Sequence, residues 1–134
     1  PLDFSAQTFV RADGSPYLWQ PERNAWRIVL VSEKPCQAAC QKQLDVLHRV
    51  WLSRGRHTER IDLLWFADVP STRPDFKGFI AMRPNTALQA ALPEKESTAG
   101  YPVYLIDPDG FVALHYPAGF DPSGLRKDLA KLVK

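Results

Sequence analysis

Long apolar runs are missing from this chain of 134 residues. No stretch approaches the ~20 apolar residues that a membrane-crossing helix needs. No signal-peptide pattern is present, and the chain opens on Pro1 rather than methionine, so an export signal or membrane anchor is expected to have preceded Pro1. Strong charge of either sign is also absent. Seventeen Lys and Arg stand against 15 Asp and Glu, for a net charge of +2, and no basic run points to nucleic acid. There is no glycine-rich phosphate loop, no nucleophile elbow and no zinc-type cluster, which removes nucleotide-binding, hydrolase and zinc-dependent classes. Internal repeats and low-complexity tracts are lacking too, and the length suits one domain spanning residues 1–134. Cysteine is scarce: the chain has only two.

Those two cysteines lie together in Pro35-Cys36-Gln37-Ala38-Ala39-Cys40. Before them, Trp26-Arg27-Ile28-Val29-Leu30-Val31 reads as a strand. After them, Leu44, Leu47, Trp51 and Leu52 recur at the spacing of one helix face. The thiols therefore fall where a strand ends and a helix begins, and there free amides and the helix dipole favour thiolate, the form that attacks disulfides and binds soft metals. Helix geometry predicts Cα atoms roughly 6 Å apart, within reach of a disulfide. A purely structural disulfide is the weaker reading, since it closes a tiny loop that the helix already orders. A redox or metal-binding dithiol is the stronger one.

In chain order, Gln7 to Arg11 reads as a short strand, Ala12 to Pro16 as a turn and Tyr17 to Trp19 as a return strand, giving an N-terminal hairpin. Pro21 to Ala25 is a polar loop. The helix after the dithiol is expected from about Gln37 to Arg54, closed by Gly55. Ile61 to Ala67 is almost wholly apolar, as for a strand covered on both faces, so strand, helix and strand make a right-handed βαβ unit. Residues 68–99 are broken by Pro70, Pro74, Pro84 and Pro93. Within them a helical turn is expected near Phe76 to Met82, and a short helix through Ala87 to Leu92 capped by Asn85 or Thr86. Pro102 to Ile106 and Phe111 to Tyr116 are strands of a hairpin turned by Asp107-Pro108-Asp109-Gly110. Asp121 caps a last helix with Pro122 in its first position, and Leu125, Leu129, Leu132 and Val133 are expected to face the core.

This order resembles the thioredoxin superfamily. The likeness rests on the dithiol after the central strand, on Gly100-Tyr101-Pro102-Val103-Tyr104-Leu105-Ile106, and on Gly119 with Asp121-Pro122-Ser123-Gly124-Leu125. The resemblance implies an α/β, thioredoxin-like fold: a central mixed β-sheet flanked by helices, with an N-terminal β-hairpin extension. It also implies a cis proline at Pro102 facing the dithiol. Within the superfamily, the Cys-x-x-x-Cys spacing and the Asp-Pro-Asp-Gly turn are similar to the Sco proteins, which handle copper during cytochrome oxidase assembly. The histidine that completes the Sco copper site would fall at Thr98, Ala99 or Gly100, and Gln41 stands where Sco proteins favour proline. The membrane-tethered TlpA/ResA-like reductases resemble the chain in Pro102 and in the Leu-Ile-Asp-Pro-Asp-Gly turn. They space their cysteines by two residues, however, and place tryptophan where Pro35 stands. The Thr-x-x-Cys pattern of peroxiredoxins is absent, because Glu33 precedes Cys36 by three.

Three readings follow. In the first, a Sco-like assembly factor for a respiratory cytochrome oxidase works by thiol–disulfide exchange on protein thiols or disulfides, with a copper-site subunit as partner and weak copper binding. The second is a general oxidoreductase of the TlpA/ResA type, and the third a Cu(I) chaperone. Under exchange, Cys36 is the nucleophile, Cys40 resolves the mixed disulfide, and Pro102 leaves an edge where a partner strand can pair. Glu33 and Lys34 sit beside the dithiol as candidates for tuning it. Under metal binding, Cys36 and Cys40 hold Cu(I) through sulfur, with His115 or Met82 as candidate third ligand. His48 lies about 12 Å along the helix from Cys40, too far to share a metal, and His57 reads as a surface cap. The implied setting is the periplasm, at the extracytoplasmic face of a bacterial inner membrane.

Overall fold

Two neighbouring strands with almost nothing polar on either face need cover on both sides, and that requirement organises the molecule. The computed structural model describes residues 3–134. Its elements in chain order are β1 (Phe9–Val10), β2 (Pro16–Tyr17), β3 (Trp26–Val31), α1 (Ala38–Leu52), β4 (Ile61–Phe66), β5 (Phe79–Ala81), α2 (Thr86–Ala91), β6 (Val103–Ile106), β7 (Val112–Tyr116) and α3 (Pro122–Leu132). A five-stranded sheet runs β5-β4-β3-β6-β7. β3, β4 and β5 are parallel, while β6 and β7 are antiparallel additions. This is the thioredoxin-like mixed sheet, with the small β1–β2 hairpin beside it.

Alternation along the strands splits the core into two layers. On one face, Ile28, Leu30, Leu63, Trp65, Val103 and Leu105 pack against α1 and α3 through Leu44, Leu47, Leu125 and Leu129. On the other, Val29, Leu64, Tyr104 and Ile106 pack against Phe4, Phe9, Tyr17, Met82 and Leu88. The N-terminal segment and the short α2 thus do on the second face what two long helices do on the first. Phe4 N–H donates to the Gly110 carbonyl at 2.7 Å, which docks that segment on the β6–β7 turn. Gly110 has φ +101°, and a Cβ there would sit 2.5 Å from Asp3 Oδ1 and 2.6 Å from Ser5 N, so the turn needs glycine.

The structure departs from expectation at several points. The predicted helical turn near Phe76 to Met82 is instead β5, paired with β4 from Leu63↔Phe79 to Trp65↔Ala81. The polar sheet edge at β4 is satisfied by this three-residue strand. β1 and β2 are each two residues long, shorter than Gln7–Arg11 and Tyr17–Trp19 suggest. Six residues after α1, Gly55–Arg60, form a 3-10 turn where a simple helix stop was expected. Leu52 and Leu132 are 52% and 38% exposed rather than core, although Trp51 and Val133 beside them are buried. Leu52 lies about 100° around the helix from Trp51 and so falls off the stripe set by Cys40, Leu44 and Leu47. Leu125, Leu129 and Val133 are fully buried as expected. The cap of α2 is Asn85, whose Oδ1 accepts from Leu88 N–H at 2.9 Å. Among the described residues every peptide bond is trans, Tyr101–Pro102 included. The cis geometry implied for Pro102 is therefore not adopted; the ladder begins one residue later, at Val103↔Tyr116, and asks for no N–H at Pro102. No described helix is long and apolar enough to cross a membrane.

Candidate dithiol site

The chain leaves β3 at Val31 and takes six residues, Ser32 to Gln37, to reach the first turn of α1. Few contacts fasten this loop. Ser32 N–H donates to the Phe66 carbonyl at 3.0 Å, Lys34 N–H to Ser32 Oγ at 3.2 Å, and Glu33 N–H to Glu96 Oε1 at 3.3 Å. Gln37 occupies the cap position in an extended conformation, makes no side-chain cap bond, and no acid lies in the first turn. The amides at the start of α1 thus keep their positive potential for whatever sits before them.

What sits before them is sulfur. Cys36 and Cys40 form a disulfide with Cα atoms 5.2 Å apart, close to the spacing expected from the sequence. Cys40 is 2% exposed and belongs to the core layer under α1, whereas Cys36 is only half-buried and packs at its margin. One sulfur is open to a partner and the other is sheltered. A thiolate from outside can reach Cys36 Sγ; the departing Cys40 sulfur then lies one turn inside the helix, where the amides stabilise its negative charge.

A shallow depression beside the disulfide is lined by Lys34, Pro35, Gln37, Ala38, Ala39 and Tyr101. Small and apolar side chains form most of this surface, so a partner backbone can approach closely. Tyr101 was not singled out by the sequence reading. Its phenol is pushed above the ordinary tyrosine range by burial, with the Glu96 charge adding to the effect. Tyr101 rather than Pro102 lines the depression; Pro102 is buried at the start of β6. The signal that could have flagged Tyr101 is its position immediately before that proline.

The proposed third metal ligands lie elsewhere. His115 pairs with Tyr104 in the β6–β7 register and stacks on its ring at 4.6 Å, which puts it on the sheet face opposite Cys40. Its Nε2 lies 2.8 Å from Glu94 Oε1. Met82 is 3% exposed within that same opposite layer. His48 stacks on Phe76 at 4.2 Å, and His57 sits in the 3-10 turn, held below the usual histidine range by desolvation and by Arg54, Arg56 and Arg60. Residues 97–100 form a tight turn, with Ser97 N–H donating to the Gly100 carbonyl. Among the described residues no group of three or more His, Cys, Asp or Glu side chains could hold a metal. Reduction of Cys36 and Cys40 would supply two thiolates and no third donor, so the residues present do not fit a three-ligand copper site.

A family model described as the transmembrane-like, thioredoxin-like, C-terminal domain matches residues 26–134. The chain belongs to this family. No curated protein matches it in sequence. Among solved structures, a SCO1/SenC family lipoprotein from Bacillus anthracis str. Ames superposes with a TM-score of 0.67 at 16% identity, covering 100% of this chain and 98% of that one. Copper-bound ScoI of Bradyrhizobium japonicum gives 0.62 at 13% identity, covering 93% and 96%. Trgpx in apo form gives 0.71 at 13% identity, covering 98% and 95%. At such identities the likeness shows the shared thioredoxin-like fold.

Proposed function

We propose that this domain exchanges disulfides with protein partners, as a Sco-like assembly factor for the copper-site thiols of a respiratory cytochrome oxidase. It would work at the extracytoplasmic face of a bacterial inner membrane. The observation that carries the reading is the Cys36–Cys40 disulfide, with an accessible sulfur ahead of an uncapped helix and its partner buried. The fold shared with a SCO1/SenC lipoprotein and with copper-bound ScoI supports the Sco-like form of the reading.

The exchange balances without any metal. In the reducing direction the Cys36 thiolate attacks a partner disulfide, forming a mixed disulfide and releasing one partner thiolate. Cys40, deprotonated, then attacks Cys36 Sγ; the Cys36–Cys40 bond forms and the second partner thiolate leaves. Each cycle oxidises one dithiol in the domain and reduces one disulfide in the partner, so a dithiol reductant must restore the domain. Copper enters this reading as cargo on the partner, whose two ligand sulfurs must be reduced to bind it.

The deciding experiment titrates the anaerobically reduced domain with Cu(I) against a competing chelator and measures the dithiol potential in the same preparation. Negligible copper affinity with a potential near or below roughly −200 mV, the range of reducing thioredoxin-like domains, is the expected result. Tight one-to-one copper binding that disappears in Cys36→Ser would replace this reading with a Cu(I) chaperone. Equal exchange rates on an oxidised copper-site peptide and on an unrelated disulfide peptide would replace it with a general oxidoreductase.

A further inference from the structure

The sheet end farthest from the disulfide carries a cleft of about 370 Å³ between the N-terminal hairpin and the starts of β4 and β5. Nothing in the exchange chemistry uses it. Its size falls within the roughly 300–1,000 Å³ of small-molecule sites rather than the flat expanse of a protein interface.

Its apolar lining is Leu18 and, on the same side of the sheet as Tyr17, Ile80; Phe79 borders the cleft from the edge strand but turns its ring to the α1 face. Leu18 is 59% exposed, the most exposed of the large hydrophobic side chains among the described residues. Set in a concave lining, it offers an apolar contact to the body of a ligand. The floor is polar but already satisfied. Asp62 Oδ2 accepts from Tyr17 Oη at 2.6 Å and from Arg23 Nη1 at 2.8 Å, and Asp62 Oδ1 accepts from Arg23 Nη2 at 3.0 Å. Trp51 Nε1 donates to the Ile61 carbonyl at 2.8 Å.

Arg23 and Asp62 neutralise each other, which leaves Arg11 and Lys77 as the cations of the cleft, with Glu59 the remaining acid. Among the described residues neither Arg11 nor Lys77 makes a side-chain ion pair; Arg11 lies over the Tyr17 ring at 5.5 Å. The nearby Asp13 carboxylate is bound by Ser15 N–H and Oγ. The turn that presents Arg23 is flanked by two left-handed non-glycine residues, Gln20 at φ +52° and Asn24 at φ +50°. Such backbone is kept only where its surroundings fix it.

We propose that this cleft binds a small organic carboxylate with an apolar body, the carboxylate facing Arg11 and Lys77 and the body against Leu18 and Ile80. The site is independent of the dithiol and stands whether or not the exchange reading holds.

The test uses 4-phenylbutyrate and its neutral analogue 4-phenylbutanamide, titrated into the 15N-labelled domain and followed by amide chemical shifts. Saturable shifts from the carboxylate, confined to residues 11–23 and 76–80, are expected, with the amide binding at least tenfold more weakly. The double variant Arg11→Gln/Lys77→Gln is expected to weaken phenylbutyrate at least tenfold, and Leu18→Ser severalfold, while thermal melting and disulfide exchange stay as in the parent. Equal affinity for the amide, unchanged affinity in the double variant, absence of saturation, or shifts centred on the exposed Phe111 and Val112 of the β7 side would each overturn the proposal. Folding of the variants is checked directly by their amide spectra.

Discussion

The two ends of the central sheet are fastened by different chemistry. At the end where β3 starts, Arg27 is 1% exposed and each guanidinium nitrogen is engaged: Nε donates to Tyr17 Oη, Nη1 to the Ala25 carbonyl and Nη2 to the Trp19 carbonyl. Its guanidinium also stacks on Trp19 at 3.6 Å. Arg23 and Asp62 complete the set, tying hairpin, β3 and β4 together. At the end where β3 stops, the loop to α1 is held by one backbone bond, Ser32 N–H to the Phe66 carbonyl at 3.0 Å, and two longer backbone-to-side-chain bonds, and the helix starts uncapped. Buried charge demands complete pairing and so rigidifies its surroundings. Amides left free at a helix start remain available to sulfur. The fold is locked at the end away from the disulfide and left less satisfied at the end that carries it.

Breaking the reactive end should have the largest effect. Cys36→Ser is expected to lower the rate of disulfide exchange on a model peptide by at least about 100-fold, while Cys40→Ser still attacks and accumulates a mixed disulfide visible by non-reducing electrophoresis. If Cys40→Ser reacts no faster than Cys36→Ser, the assignment of the exposed sulfur as nucleophile is wrong.

The locked end comes next. Asp62→Ala strands Arg23 and the Arg27–Tyr17 pair, and should cost about 3 kcal/mol in urea unfolding, at the low end for buried pairs because Arg23 is 29% exposed. Glu33→Ala, at the other end, should cost less than about 0.5 kcal/mol. Comparable losses for the two would erase the contrast.

Tyr17→Phe should cost about 1–2 kcal/mol by removing a buried hydroxyl from this network. Burial, and then the Asp62 charge, push the Tyr17 phenol from 10.0 up to about 12. The folded state therefore holds this proton more tightly than the unfolded chain does. Its contribution to stability is constant below pH 10 and is lost as pH rises from 10 to about 12. Denaturant midpoints measured across that window should fall less steeply in Tyr17→Phe than in the parent. An identical slope would show that other groups govern the alkaline limit.

The smallest effect is expected at the helix start, where Gln37→Ser supplies a missing cap. It should raise stability by about 0.5–1 kcal/mol in urea unfolding and slow exchange by lowering the positive potential at the helix start. Unchanged exchange would remove the free amides from the account of reactivity.

Much of this contrast was legible in the residues, and unevenly so. The dithiol, the strand before it and the helix after it follow from Trp26–Val31 and from the spacing of Leu44, Leu47 and Trp51, because periodicity reports burial directly. The buried ionic network was missed. Its trace is nonetheless present: Arg27 and Asp62 each take the second position of otherwise apolar strands, and the register pairs them side by side. β5 was read as a helical turn because three residues between Gly78 and Met82 are too short to display a period. The displacement of His115 from the sulfurs needed the sheet itself. Its strand ends at the correct edge, but alternation turns the ring to the far face, where it meets Tyr104 and Glu94.

The docking of the N-terminal segment on the β6–β7 turn has a geometric consequence for handling the protein. That turn lies at the locked end, since Ile106 pairs with Arg27 at the start of β3. The last residues reach the same end: Arg54 Nη2 donates to the Val133 carbonyl at 3.0 Å and Arg60 Nη1 to that of Lys134. Residues 3 and 134 therefore both emerge at the pole opposite the disulfide. A bead, a surface or a fused reporter attached through either end would hold the domain with Cys36 pointing outward into solution, like the tip of a probe on its handle.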